Sequence, residues 1–260
     1  MHRKSLHYEI APTDSIRAEV VRQLYDLYEQ CYDGSNRERF EADLREKQWV
    51  ILLREAASQR TVGFSTQMLI DIEVEGESVR ALFSGDTVIH PGYWGSQELV
   101  RAWCRLAGRL KARSMDRPLY WFLVSKGYRT YLYLPYFFHR FYPRCDQPNS
   151  AFVERLIHAL GSAKYPGAFD PRTGLIEHLA SHDRLKPELD AIARHARNPH
   201  VEFFVRRNPN YRNGTELLCV AEISPENMRS TARRELKVGL YGNEPWPGLP
   251  IDRGATQECS

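Results

Sequence analysis

The period of the apolar positions changes several times along the chain, and each change marks an element boundary. Leu6–Ile10 alternates apolar and polar residues and predicts a short strand. Ile16, Val20, Leu24, Leu27 and Tyr28 then recur at helical spacing, with Asp14 or Ser15 placed to cap the helix and Asp33-Gly34 to stop it. Ser35 with Glu38 reads as a capping box for a second helix through Leu44. The apolar run Trp49–Leu53 and the extended runs Thr61–Ile72 and Val79–Ile89 predict an antiparallel meander, with the acidic segment Glu73-Val74-Glu75-Gly76-Glu77 as one connection. From Ser96 the helical period returns. Leu99, Val100, Trp103, Leu106 and Leu110 share one side, and Arg101, Arg105, Arg109 and Lys111 the other. Pro118–Val124 completes a strand–helix–strand unit, which reads as a right-handed crossover in a mixed sheet.

Beyond this unit the grammar changes. Tyr128–Tyr142 is dense in aromatic residues, and Pro135 argues against one uninterrupted helix. Phe152–Leu160 predicts a short helix, Pro166–Gly174 a loop, Lys186–His195 and His200–Arg207 helices, and Leu217–Ile223 a strand. Ser224-Pro225-Glu226 reads as the opening of a last helix, with a cap residue, proline at the first position and an acid in the first turn. Gly239–Ser260, rich in proline, glycine and polar residues, reads as an irregular tail. The expected organisation is an α/β fold with a core over residues 1–145. A mainly helical extension over residues 146–260 contributes the strand at 217–223 and the tail.

Composition narrows the class. Of 260 residues 42% are hydrophobic and 27% charged, and a net charge of +3 gives no reason to expect nucleic acid as a partner. No run approaches the roughly 18 apolar residues of a membrane span. The basic N-terminal stretch is followed by polar residues and no apolar signal core, so the expectation is a cytoplasmic protein without a membrane partner. Cys31, Cys104, Cys145, Cys219 and Cys259 are scattered, with no Cys-x-x-Cys or His-x-x-x-His spacing, so neither a metal site nor a disulfide framework is expected. Cys104 falls on a helical apolar face and reads as core.

One turn stands out on physical grounds. Pro91-Gly92-Tyr93-Trp94-Gly95-Ser96-Gln97 joins a strand ending at Ile89 to a helix beginning near Ser96. Amides at a helix start lack intrahelical partners and sit at the positive end of the helix dipole, which suits phosphate oxygens. Gly92 and Gly95 would let a ligand approach the backbone closely. The turn is neither a P-loop nor a dinucleotide fingerprint. In its order of elements (strand, two helices, three antiparallel strands, turn, helix, strand) and in the segment Thr87–Gln97, the chain resembles the GNAT acyltransferase superfamily over about residues 6–145.

The resemblance implies a GNAT-like mixed, mostly antiparallel sheet flanked by helices. It also implies N-acyltransferase activity, moving an acyl group from a thioester donor to a small-molecule or peptide amine. It assigns donor binding to Val88, Ile89, Gly92, Tyr93, Trp94, Gly95, Ser96 and Gln97, with Lys126 after the next strand, and lays the acyl arm between Val79–Ile89 and Pro118–Val124. The family motif commonly opens with Arg or Gln and closes with Gly or Ala. Here those places hold Gly92 and Gln97, with Trp94 inside the turn. Acyl-CoA (acetyl-CoA or longer) and an acyl carrier protein thioester both stay open as co-substrate. So does a non-catalytic binding protein of this fold that has lost donor binding.

Acyl transfer needs a deprotonated nucleophile, a polarised carbonyl and an acid for the leaving thiolate. Strict alternation puts Ser84 and Asp86 on one strand face with Leu82 and Val88. A carboxylate there is costly unless paired or functional, so Asp86 is the first candidate base, the alternative being an aspartate bonded to backbone amides or an arginine. Tyr128, or a later tyrosine such as Tyr131 or Tyr133, is the candidate acid. Lys126 or Arg129 is placed to meet phosphate or an acidic acceptor. His90 and His139 are shuttles by residue type only. The aromatic stretch with Arg129, Arg140 and Arg144 suits either base stacking or, with Leu132 and Leu134, a hydrophobic wall for an acyl chain.

Overall fold

The computed structural model describes residues 5–178, 183–190 and 197–242. Strand β1 (Leu6–Pro12) leads through a 3-10 turn into helix α1 (Ala18–Cys31), the two-residue strand β2 (Tyr32–Asp33) and α2 (Arg37–Glu46). Then come the meander β3 (Trp49–Glu55), β4 (Thr61–Val74) and β5 (Glu77–Ile89), followed by α3 (Glu98–Ala112) and β6 (Leu119–Ser125). The aromatic stretch forms two short helices, α4 (Tyr128–Tyr131) and α5 (Tyr133–Phe137). After these run α6 (Ala151–Lys164), the two-residue strands β7 (Phe169–Asp170), β8 (Leu175–Ile176) and β9 (Arg184–Leu185), and α7 (Pro199–Arg207). Strand β10 (Glu216–Glu222) and helix α8 (Ser230–Tyr241) close the described chain.

Among the described residues eight strands form one sheet in the order β1-β3-β4-β5-β6-β10-β8-β7, and β2 pairs with β9 apart from it. Every pair in the large sheet is antiparallel except β5–β6, which the crossover helix α3 makes parallel. The mixed, mostly antiparallel sheet expected from the sequence is therefore present, and the strand expected at 217–223 is β10.

Helices cover both faces. α3 buries Leu99, Trp103, Leu106 and Leu110 on one face. α8 lies across α3 there, and a Cβ on Gly108 or Gly239 would run into the backbone of the opposite helix, so glycine at both positions lets the two backbones touch. Arg105 on α3 ties the contact, bonding Glu235 of α8 at 3.0 Å and the Tyr8 hydroxyl of β1 at 2.8 Å. α1 and α2 cover the other face over β3 and β4, and α6 covers it over β5, β6 and β10. No helix among the described residues is long and apolar enough to cross a membrane.

Local expectations failed where tertiary bonds outweighed local signals. Asp14 and Ser15 fall in the 3-10 turn rather than capping α1, because Thr13 is held to the start of β3 through Gln48 O at 3.1 Å and Lys47 O. The α2 cap is Asn36, whose side chain accepts from Arg39 N at 2.9 Å, one residue beyond Ser35. Ser224-Pro225-Glu226 forms a turn and not a helix start: Asn227 and Met228 are bridged to the Phe138–His139 segment, so α8 opens at Ser230. Of Lys186–His195, residues 187–189 form a 3-10 turn and 191–196 lie outside the described residues. Gly239 ends up inside α8, and the rest of the expected tail from 243 lies outside the described residues.

Candidate active site

The site begins with a fault in the sheet. Ser65 pairs with Thr87 and Gln67 with Ser84, so Thr66 alone faces both Gly85 and Asp86, which makes a bulge on β5. A Cβ at position 85 would stand 2.6 Å from Thr66 Oγ1 and 2.9 Å from Lys47 Cε, which explains glycine at the bulge. The extra residue also shifts the side-chain phase. Ser84 and Thr87 turn to the α3 face, while Phe83, Asp86 and Val88 turn to the α1/α6 face. Strict alternation, which grouped Asp86 with Leu82 and Ser84, is corrected here: the bulge carries Asp86 to the opposite side.

At the same level β5 and β6 part. Their parallel pairing ends at Ser84–Leu123, yet β5 runs on to Ile89 and β6 to Ser125. The gap between them opens a cleft of about 520 Å³, bounded by the end of β5, the turn before α3, and α4–α5. Below it on the α3 face lies an almost wholly apolar pocket of about 40 Å³ against Leu99, Trp103, Trp121 and Phe137. On the other face lies a pocket of about 210 Å³ lined by Asp43, Asp86, Asp183 and Glu216 and by the rings of Tyr28, Tyr32 and Tyr165. Among the described lining residues, Thr87 from β5 and Thr130 from α4 border all three spaces.

The turn reaches the cleft only in part. Ile89, Trp94, Gly95, Ser96 and Gln97 line it, as does Val88, whose side chain packs into the core of the α1 face. Gly92 and Tyr93 do not. Gly92 N is bonded to His90 Nδ1 at 3.1 Å, and the buried Tyr93 hydroxyl is held by Glu55 and by Arg60 at 3.1 Å. The amides of Tyr93, Trp94 and Ser96 bond back to the carbonyls of His90, Pro91 and Tyr93, while those of Gly95, at φ 89°, and Gln97 have no hydrogen-bond partner among the described residues. Trp94 is 42% exposed; its indole N–H donates to Ile89 O at 2.9 Å, and the Arg129 guanidinium stacks 4.1 Å from the ring centre. This pair joins the turn to α4.

Electrostatics concentrate in the acidic pocket. Burial pushes the Asp86 carboxyl up to about 7; Asp43, and more weakly Glu216, add to the rise, against Lys126 and Lys47. No hydrogen bond or ion pair to Asp86 exists among the described residues, so the backbone- or arginine-bonded alternative is not what the geometry contains. Other carboxylates there are engaged. Asp183 takes Arg39 at 3.0 Å and the Tyr28 hydroxyl at 3.1 Å, and Asp43 takes Lys47 at 2.6 Å. Burial works to raise Glu216, but Lys126 at 3.7 Å and His178 at 3.0 Å outweigh it and hold the group below its ordinary value. Lys126 also lies 5.2 Å from the Tyr32 ring centre, at the border of cleft and pocket.

Of the tyrosines named from sequence, Tyr128 and Tyr133 line the cleft, and Tyr133 also lines the apolar pocket. Burial raises the Tyr133 hydroxyl, with Arg129 opposing, so it stays protonated. Tyr131 instead donates to Pro143 O at 2.8 Å within the core. His139 borders none of the three spaces. Tyr28, Tyr32, Asp43, Tyr165, His178, Asp183 and Glu216 were not singled out from sequence as site residues, and Thr87 was named only as the start of the segment Thr87–Gln97. Their one advance signal was an acid, Glu216, heading an apolar strand. Among the described residues no group of three or more His, Cys, Asp or Glu side chains is arranged to hold a metal ion.

No family model matches the sequence, nor does any curated protein sequence. Solved structures similar to the chain include a probable N-acyltransferase from Enterococcus faecalis V583, at 12% identity over 53% of this chain and 33% of that one, TM-score 0.39. Saccharomyces cerevisiae N-myristoyltransferase with bound myristoyl-CoA matches at 14% identity over 46% and 31%, TM-score 0.34. A GNAT family N-acetyltransferase from Escherichia coli in complex with CoA matches at 13% over 48% and 67%, TM-score 0.33. The chain thus spans about a third of the length of the first two. Likenesses this distant concern the arrangement of elements and carry no conclusion about activity.

Proposed function

We propose that the protein is a GNAT-type N-acyltransferase that moves an acyl group from an acyl-CoA or acyl carrier protein thioester to an amine. One observation carries this reading: where β5 and β6 part, a donor-sized cleft, an apolar pocket on the α3 face and an acidic, aromatic pocket on the other face all meet at Thr87 and Thr130. The acyl group would enter the apolar pocket, with its thioester beside Thr87. The donor arm would run along the free edge of β5 towards the amides of Gly95 and Gln97, Lys126 lying beside it. A cationic amine is drawn to the carboxylates and rings of the acidic pocket. There Asp86, with a pKa of about 7, is matched to take its proton near neutrality. Tyr128 or Tyr133 would protonate the departing thiolate.

A second reading, a binding protein of this fold without donor chemistry, is favoured by the turn, whose amides at Gly92, Tyr93, Trp94 and Ser96 are bonded inward. Thermal shift and thiol release with acetyl-CoA, longer acyl-CoAs and a loaded acyl carrier protein, offered with a panel of primary amines, separate the two. Stabilisation with amine-dependent thiol release is expected. Stabilisation by no donor and release from none would defeat the enzyme reading.

A further inference from the structure

We infer that Thr87 is a catalytic hydrogen-bond donor to the thioester oxygen, its hydroxyl polarity set by a buried chain of bonds that begins at two tryptophans. This rests on the acyl-transfer reading above. Trp103 Nε1 and Trp121 Nε1 donate to Ser84 Oγ at 3.2 and 2.8 Å. An indole N–H can only donate, so the lone pairs of Ser84 are occupied and its proton goes to Gln67 Oε1 at 2.8 Å. That sets the Gln67 amide, whose Nε2 donates to Ser65 Oγ at 2.7 Å. Ser65 is buried, and the other partner of its hydroxyl is Thr87 Oγ1 at 2.7 Å. A buried hydroxyl proton needs an acceptor, and Thr87 Oγ1 is the one present among the described residues. Ser65 therefore donates to Thr87. The Thr87 hydroxyl has accepted one bond and keeps its own proton to give, at the border of the cleft and both pockets.

Each bond in such a chain polarises the next, so the terminal hydroxyl is a better donor than an isolated threonine. The chemistry has a use for it. The amine nitrogen bonds to the carbonyl carbon, the carbonyl oxygen passes through a tetrahedral oxyanion, and the carbon–sulfur bond breaks. Asp86 takes one proton from the entering ammonium. As the adduct collapses, the thiolate takes a tyrosine proton and the second proton lost by nitrogen returns to that tyrosine, leaving an amide, a thiol and a protonated Asp86 that exchanges with solvent. A donor fixed beforehand and aimed at the oxyanion stabilises the transition state more than the ground state. The five side chains upstream also explain why the α3 face of this bulge carries serine, glutamine and paired indoles inside an otherwise apolar layer.

Thr87→Val keeps the side-chain shape and removes the proton; Thr87→Ser restores it. With acetyl-CoA as donor and a panel of primary amines, Thr87→Val should lower kcat about 100-fold while donor KM changes by less than about threefold, and Thr87→Ser should stay close to the wild type. A second readout needs no turnover. In infrared difference spectra of bound acetyl-CoA labelled with 13C at the thioester carbonyl, the stretch should lie at lower wavenumber in the wild type than in Thr87→Val. Equal kcat in Thr87→Val and the wild type, or an identical carbonyl stretch in both, overturns the role of Thr87 and leaves acyl transfer standing. A wild type that neither binds nor cleaves acetyl-CoA, longer acyl-CoAs or a loaded acyl carrier protein removes the acyl-transfer reading, and this role with it.

Discussion

Replacing Asp86 by asparagine keeps the side-chain volume and removes both the charge and the ability to accept a proton. Because the Asp86 carboxyl titrates near 7 rather than at its ordinary 3.8, ionising it inside the fold costs about 4 kcal/mol relative to the unfolded chain. The residue is only half-buried at the edge of the acidic pocket, so about half of this, roughly 2 kcal/mol, is the better expectation. The sign follows from the raised value. Below pH 4 the carboxyl is protonated in both states and the cost is absent; it grows as pH rises towards 7 and is complete above it. Asp86→Asn should therefore match the wild type in stability at pH 4 and exceed it at pH 8 by roughly 4–8 °C in Tm for a chain of this size. Turnover should move the opposite way. A general base contributes about 100-fold or more, so the variant should lose at least tenfold in kcat/KM, along with the rising limb of the pH profile that ends near 7. Melting curves from pH 4 to 8, paired with thiol-release rates on the same samples, check both. A Tm difference that does not vary with pH would refute the burial argument, and wild-type rates would remove Asp86 as the base.

Three other substitutions probe the frame. Gly95 sits at φ 89°, a left-handed conformation that valine tolerates poorly, so Gly95→Val should cost about 1–2 kcal/mol of stability and raise donor KM about tenfold; unchanged donor titrations would show that the turn does not hold the donor. Gly239→Ala drives a methyl into the backbone of Arg105 and should cost about 3 kcal/mol, visible as a Tm drop of roughly 6–12 °C; a drop under about 2 °C would contradict backbone contact between α3 and α8. Trp94→Phe keeps a ring beneath Arg129 but frees the Ile89 carbonyl, so donor affinity by calorimetry should rise about two- to tenfold, and weaker binding would mean that the indole belongs to the donor site.

What could be read from sequence was whatever a local period encodes. The meander, α3, β6 and β10 each carry their own hydrophobic repeat, and the order of elements followed. The bulge did not announce itself, because Gly85 and Asp86 are out of phase only relative to Thr66 on a neighbouring strand. That one extra residue on β5 is why strict alternation assigns Asp86 to the wrong face. The acidic pocket was harder still: Tyr28, Asp43, Asp86, Tyr165, Asp183 and Glu216 come from six separate segments, and beyond Asp86 and the acid at the head of β10 nothing local marks them as neighbours. The caps of α1 and α8 went astray for a related reason, since contacts with distant strands decided where those helices begin.

The meeting of three spaces where β5 and β6 part has a consequence for reaction order. On the proposed reading, a donor whose acyl group lies in the apolar pocket and an amine held in the acidic pocket would both reach Thr87, each from its own face of the sheet. Neither has to leave before the other arrives, and no nucleophilic side chain has to store the acyl group between visits. For an enzyme built this way, initial-rate lines at several fixed amine concentrations should intersect rather than run parallel, the signature of a ternary complex in which the two substrates meet through the sheet.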